Sequence, residues 1–233
     1  VIGPINIFAS VCTASKGKAL DSRTLLKRID LFKLIASRCA PSNTFLVETT
    51  SLNVLTRAST ILGVNLDREE TTGSFQRSEN QTDLCSYYAN NSLPIFILPA
   101  LALNFIRNQK SFSKKEFFQF ITAIFYITKL EYFLPWDIKN IDKVSHDILS
   151  VFEDTKLIRT KSSIFQTCDE GSQEEIISGE LASLGADFIK CLHIIGVFLD
   201  SGRDTSTKQF KKLIKGLSLS DTLSHEVDFS ILK

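Results

Sequence analysis

The stretch that decides the fold is SKKEFFQFITAIF, which occupies residues 113–125. Its large apolar residues follow spacings of three and four and form a single stripe: Phe117, Phe118, Ile121, Ile124 and Phe125. Polar side chains at positions 114, 115 and 119 lie off that stripe, as on a helix with one buried face. Ser113 is a residue type that commonly caps the start of a helix. The stretch therefore predicts an amphipathic helix that begins after Ser113.

Similar patterns extend in both directions along the chain. Residues 21–38, with Asp21 as cap and Pro41 as stop, predict a second amphipathic helix, and residues 52–62 predict a shorter one that ends at Gly63. Further segments follow the same reasoning: a helix over 140–152, a small hairpin over 157–165, a long apolar helix over 174–199 and a basic helix over 206–216.

Three of these helices predict an internal repeat. Their capping residues, Asp21, Ser113 and Ser206, are 92 and 93 residues apart, and a large apolar residue follows each cap by four positions: Leu25, Phe117 and Phe210. In the first two units a further helix and a hairpin-like stretch follow, at 64–75 and 157–165. Chance similarity among amphipathic helices is the alternative.

The order of helix, helix, helix and hairpin is typical of a winged helix. We therefore expect a mainly α fold, built from tandem winged-helix-like units with small β-hairpins. Residues 1–170 would hold two units with their hairpins. Residues 171–233 would hold the long apolar helix and a truncated third unit.

Composition excludes several classes of protein. Hydrophobic residues make up 43% and charged residues 23%, which is close to the globular average and excludes wholesale disorder. The net charge of +1 gives no general attraction to nucleic acid or anionic lipid. Five scattered cysteines indicate reduced thiols in a cytosolic protein. The chain begins with Val1 and contains no Met, so we expect a fragment of a longer protein.

One apolar stretch raises the question of a membrane span. It covers residues 93–106, which is 14 residues and contains Pro94 and Pro99. A spanning helix needs about 20. The stretch therefore predicts a buried helix of a folded core, with a re-entrant or interfacial segment as the alternative.

The residues give no catalytic, cofactor or metal site. There is no glycine-rich phosphate loop and no GxSxG elbow. None of His146, His193 and His225 has another His or Cys at ligand spacing, and none is followed five positions later by Asp. A basic cluster at positions 208, 211, 212 and 215 is expected to be a solvated helix face, with a surface for nucleic acid or anionic lipid as the alternative.

Two motifs carry a resemblance to a known family. Tyr87-Tyr88-Ala89-Asn90-Asn91 precedes the apolar Leu-Pro helix, and Lys129-Leu130-Glu131-Tyr132-Phe133-Leu134-Pro135-Trp136-Asp137 follows the Ser113 helix. Their order and spacing resemble the C-terminal region of the large bacterial membrane-associated glycerol-3-phosphate 1-O-acyltransferases. One position departs from the family, which commonly has a His where this chain has Pro94.

The resemblance implies a non-catalytic helical region of an enzyme of phospholipid biosynthesis. In that family a His-x4-Asp motif, which lies upstream and is missing from this chain, supplies the general base. The implied partners are the upstream catalytic domain of the same protein and, through it, the membrane surface and acyl-ACP or acyl-CoA. The implied location is peripheral, at the cytoplasmic face of the inner membrane. No nucleic acid and no cofactor are expected.

The resemblance also assigns a role to six motif residues. They would be packing or interface positions rather than catalytic ones: Tyr87, Tyr88, Asn90, Asn91, Trp136 and Asp137. Two alternatives stay open. One is a winged-helix module that binds nucleic acid or protein, and the other is a split gene product whose catalytic half is separate or lost.

Overall fold

The computed structural model describes residues 1–16, 18, 20–46, 49–63, 74–75 and 79–201. The helices are α1 (Pro4–Ala14), α2 (Ser22–Cys39), α3 (Ser51–Leu62), α4 (Glu79–Asn90), α5 (Leu93–Gln109), α6 (Lys114–Tyr132), α7 (Ile141–Asp154), α8 (Gln173–Ala182) and α9 (Ala186–Ser201). The strands are β1 (Leu20–Asp21), β2 (Ser74–Phe75), β3 (Ser111–Ser113), β4 (Ile158–Lys161) and β5 (Ile164–Thr167). The predicted basic helix at 206–216 and the third unit lie outside the described residues.

The fold is mainly helical, as predicted. Strands β3, β5 and β4 form, in that order, a small antiparallel sheet, and Phe112 of β3 pairs with Phe165 of β5. Strand β1 pairs with β2, also antiparallel. The order helix, strand, helix, helix, strand therefore occurs twice: from α1 to β2 in a first unit and from α5 to β4 in a second, where β5 follows as a further strand.

Local capping explains where the main helices begin and end. The Asp21 carboxylate accepts a hydrogen bond from the Thr24 backbone N–H at 2.8 Å at the start of α2. Ser113 and Glu116 form a reciprocal capping box at the start of α6. Gly63 ends α3 with φ of +64°, a left-handed conformation that glycine adopts without steric cost. These three predicted boundaries are confirmed.

Helix α5 runs through the core and packs against α2, α6 and α8. Most of its side chains are buried, including Phe96, Ile97 and Leu101, so the predicted buried helix is confirmed. Within the described residues, no single helix is long and apolar enough to cross a bilayer. Helices α4 and α5 reach that length and composition only as a pair, and they meet at a bend of 90°.

The predicted long helix over 174–199 is wrong in one respect: it is interrupted. A 3-10 turn, Ser183–Gly185, separates α8 from α9. Asn104 of α5 donates a side-chain hydrogen bond to the Ala182 carbonyl at 2.7 Å, where α8 ends. A Cβ on Gly185 would lie 2.9 Å from the Leu101 side chain, so the turn approaches α5 too closely for a larger residue. Contacts with α5 therefore account for the interruption.

A buried ion pair joins the first unit to α8. The Arg28 guanidinium of α2 donates from Nε and Nη2 to the two carboxylate oxygens of Glu180, and both side chains are buried. The Nη1 atom of Arg28 has no hydrogen-bond partner within the described part of the chain. A buried charge without its partner is costly, so each member of this pair depends on the other.

Candidate functional site

The tyrosine motif lies at the end of α4 and divides between the interior and the surface. Tyr88 is half-buried against the core, and its carbonyl accepts a hydrogen bond from Asn6 Nδ2 of α1 at 3.0 Å. Tyr87 is 64% exposed, with its ring 5.4 Å from that of Tyr88 in an edge-to-face arrangement. Asn90 and Asn91 are also exposed. Of the two Tyr and two Asn side chains of the motif, three therefore face solvent.

A buried serine fixes the turn that follows the motif. The hydroxyls of Ser92 and Ser10 hydrogen-bond each other at 2.9 Å, which attaches the turn to α1. Pro94, at the position of the family's histidine, lies in the first turn of α5. A helix tolerates proline there because the first N–H groups have no partner within the helix. In this chain the position therefore initiates a helix.

Trp136 of the second motif is buried and closes the end of α2. Its indole Nε1 donates to the carbonyl of Cys39, the last residue of α2, at 2.7 Å. Terminal helix carbonyls lack partners within the helix, so this bond satisfies one of them. Asp137 is exposed, and its carboxylate accepts from the Lys139 N–H at 3.1 Å and caps the 3-10 turn Ile138–Asn140. Both residues thus organise the connection between α6 and α7.

A cleft of about 650 Å³ lies beside Trp136, between the end of α2 and the start of α7. Its charged lining residues are of both signs: Arg38, Asp137, Lys143 and Asp147. Burial raises the pKa of the Cys39 thiol to about 12, and the negative charge of Asp147 adds to the effect. The thiol is therefore protonated at neutral pH and is not an activated nucleophile. Among the described residues that line this cleft, there is no histidine.

The two histidines that the structure describes do not lie with either motif. His146 is exposed on α7, and its ring makes an edge contact with Phe118 at 5.1 Å between centroids. His193 is half-buried on α9, and His225 lies outside the described residues. Among the residues that the structure describes, no group of three or more His, Cys, Asp or Glu side chains is placed to hold a metal ion.

The structure places the two motifs against different elements, one at the start of α1 and the other at the end of α2. Sequence reasoning missed the Arg28–Glu180 pair, although a signal exists: Arg28 lies three positions after Leu25 and four before Phe32, inside the apolar stripe of α2. It also missed the exposed Phe45, which lies in a polar loop and follows no periodic pattern.

These features define a mainly helical region, in which residues of the two motifs lie at helix ends and at the surface. Comparison with known proteins gives its family. Residues 1–230 match the family described as "Glycerol-3-phosphate acyltransferase C-terminal region", and the chain belongs to that family. The resemblance predicted from the two motifs is thereby confirmed.

Curated relatives agree with this assignment. The chain is 25% identical over 219 residues to a glycerol-3-phosphate acyltransferase of Pseudomonas savastanoi pv. phaseolicola. The aligned residues cover 91% of the chain and 26% of the relative. It is 24% identical over 209 residues to a protein of the same name from Ectopseudomonas mendocina. The aligned residues cover 87% of the chain and 25% of that relative. The chain spans about a quarter of the length of these relatives. No solved structure matches it.

Proposed function

We propose that this chain is the non-catalytic helical region of a glycerol-3-phosphate 1-O-acyltransferase and that it supports the catalytic part of that enzyme. The observation that carries the proposal is the family match over residues 1–230. The reaction of the whole enzyme would move an acyl group from acyl-ACP or acyl-CoA to the first hydroxyl of glycerol 3-phosphate, in phospholipid synthesis.

The non-catalytic role is supported by the chemistry that acyl transfer needs. The attacking hydroxyl must lose a proton to a positioned base, most often a histidine. The residues five positions after the three histidines of this chain are Val151, Phe198 and Ser230, so none completes a His-x4-Asp motif. The Cys39 thiol in the cleft beside Trp136 is protonated, and no histidine is among the described residues that line this cleft. The general base would therefore come from the rest of the enzyme.

The finer architecture that we propose is a pair of winged-helix-like units. It is supported by the order α5, β3, α6, α7, β4, β5 and by the strand order β3-β5-β4, in which the strand before the second helix pairs with the last strand. In the first unit, β1 is the strand before the second helix, and it likewise pairs with the last strand, β2. The units would act as a scaffold for the catalytic part. The lysine cluster at 208–215, which motivated a nucleic-acid alternative, lies outside the described residues.

The proposed setting follows from the proposed enzyme. The region would work at the cytoplasmic face of the cell membrane as a peripheral part of the protein, and it would meet the membrane, acyl-ACP or acyl-CoA through the catalytic part.

An acyl-transfer assay tests the proposal. Radiolabelled acyl-CoA and glycerol 3-phosphate are incubated with the isolated chain, with the intact polypeptide, and with the intact polypeptide carrying Trp136→Ala. We expect no product from the isolated chain, product from the intact polypeptide, and faster thermal loss of activity in the variant. Product from the isolated chain would contradict the non-catalytic role. An intact polypeptide that makes none would contradict the assigned reaction.

A further inference from the structure

Large apolar side chains are exposed together at one end of the first unit. Phe45 is 66% exposed, and Tyr87 of α4 is 64% exposed. Together with the neutral amides of Asn90 and Asn91, we call these residues the open surface. Scattered exposed apolar residues are ordinary, but several at one place indicate an interaction site.

Backbone contacts bring the members of the open surface to the same end of α1. The Ile2 N–H donates to the Phe45 carbonyl at 2.8 Å, and Ile2 forms a parallel bridge with Leu46. Asn6, in the first turn of α1, binds the Tyr88 carbonyl and so holds the end of α4 beside the same place.

The charge of this end indicates a protein partner. Residues 1–15, 40–52 and 79–92 contain no Lys and no Arg. Phosphate groups of nucleic acids and of anionic lipids are bound mainly by clustered Lys and Arg, and these three segments contain neither. Exposed aromatic side chains together with neutral hydrogen-bonding amides are instead typical of surfaces that contact proteins.

We propose that the open surface docks onto the part of the acyltransferase polypeptide that precedes this region. The inference rests on the proposed function and names the surface through which support would be given. The occupant follows from chain geometry. The region matched is a C-terminal one, and the relatives are about four times as long. A preceding polypeptide would continue from Val1 and would therefore leave beside Phe45, whose carbonyl binds the Ile2 N–H.

Site-specific photocrosslinking in the intact polypeptide tests the inference. The photoreactive residue p-benzoylphenylalanine replaces Tyr87 in one preparation and Tyr126 in the other. Tyr126 is a matched control, because it is 58% exposed and lies on α6 of the second unit. Crosslinked peptides are identified by mass spectrometry, and mixing of ¹⁴N- and ¹⁵N-labelled copies separates crosslinks within one chain from those between chains.

We expect Tyr87→p-benzoylphenylalanine to crosslink, within one chain, to peptides that precede Val1, with a yield several-fold above that of the control. Crosslinks between two copies of this region, crosslinks to lipid, equal yields from both positions or no crosslink from position 87 would each overturn the inference. Acyl transfer by the same preparations separates the two proposals: activity without the expected crosslink rejects the open surface alone, whereas absence of activity rejects the proposed function.

Discussion

The two units share an order of elements but differ in what covers the loop between their second and third helices. In the second unit, Trp136 of that loop is buried and binds the end of α2 in the first unit. In the first unit, Phe45 of the corresponding loop is exposed, and its carbonyl accepts a hydrogen bond from the Ile2 N–H. Both loops expose an aromatic side chain, Phe133 at 87% and Phe45 at 66%, but the loop of the second unit also buries Trp136 against the first unit.

This difference shows that a shared order of helices and strands does not determine what each loop contacts. The stripes of α2 and α6 predict two buried faces equally well, because burial of apolar side chains stabilises both in the same way. What each loop contacts depends on residues nearly a hundred positions away, as in the bond between Trp136 and Cys39. Variants that remove buried contacts can therefore be compared with variants that alter the open surface, and the comparison distinguishes the two kinds of region.

The largest expected effect comes from breaking the tie between the first unit and α8. Arg28→Ala leaves the Glu180 carboxylate buried without its partner, so we expect the free energy of unfolding to fall by about 3–5 kcal/mol. Urea denaturation followed by circular dichroism measures it. The control replaces the pair by apolar residues, Arg28→Met with Glu180→Leu, and should recover most of the loss. A single variant as stable as the wild type would show that the pair does not hold these elements together.

The next effect compares the two loops directly. Trp136→Phe removes the indole N–H and leaves the Cys39 carbonyl without its donor, so we expect a loss of about 1–3 kcal/mol in the free energy of unfolding. Phe45→Ser changes an exposed side chain and should alter it by less than about 0.5 kcal/mol. Both are measured by urea denaturation of the isolated chain. Equal losses in the two variants would remove the distinction between the two loops.

A smaller effect concerns the cap of α2. Asp21→Ala removes the acceptor of the Thr24 N–H and should cost about 1 kcal/mol, whereas Asp21→Asn keeps an acceptor and should cost little. Hydrogen bonds from the Thr24 side chain and backbone lower the pKa of Asp21 from its ordinary 3.8. The charged cap therefore stabilises the fold fully above about pH 4, and this contribution is lost as the pH falls through the lowered pKa.

Unfolding free energies at pH 7 and pH 3 check this sign. The difference between the wild type and Asp21→Asn should shrink in favour of the variant at the lower pH. A wild type whose advantage over Asp21→Asn grows on acidification would contradict the assigned cap.

The smallest effect concerns thiol accessibility. Cys12, Cys39, Cys85 and Cys168 are buried, whereas Cys191 is exposed on α9. We expect one of the five thiols to react rapidly with Ellman's reagent in the native chain and all five in guanidinium chloride. Burial raises the pKa values of Cys39 and Cys168, which slows their reaction further. Cys191→Ser should abolish the fast phase, and a fast phase that survives this substitution would place a second thiol at the surface.

Local signals account for the parts of the fold that could be predicted from sequence. Asp21, Ser113 and Gly63 set helix ends through bonds and conformations within a few residues of themselves, so sequence alone is enough to place them. The interruption between α8 and α9 could not be predicted in this way. It depends on Leu101 and Asn104 of α5, roughly eighty residues earlier in the chain.

The features of the candidate site could likewise be predicted from the sequence only in part. An aromatic residue at position 136 could be expected to pack or to form an interface, but its partner, the Cys39 carbonyl, lies 97 residues away. The arginine at position 28 interrupts an apolar stripe and so signals a buried partner, yet nothing near it in sequence indicates Glu180, which is 152 residues away. The interface role of Tyr87, Asn90 and Asn91 stays a prediction.

Hydrogen–deuterium exchange tests the central claim most directly, namely that this region supports another part of the enzyme through its open surface. Exchange is compared between the isolated chain and the intact polypeptide, at residues 43–46 and 84–91 and, as the control, along the exposed side of α6 around Tyr126. The account predicts slower exchange at the first two segments in the intact polypeptide and unchanged exchange around Tyr126. Identical exchange at residues 43–46 and 84–91 in both samples would contradict it.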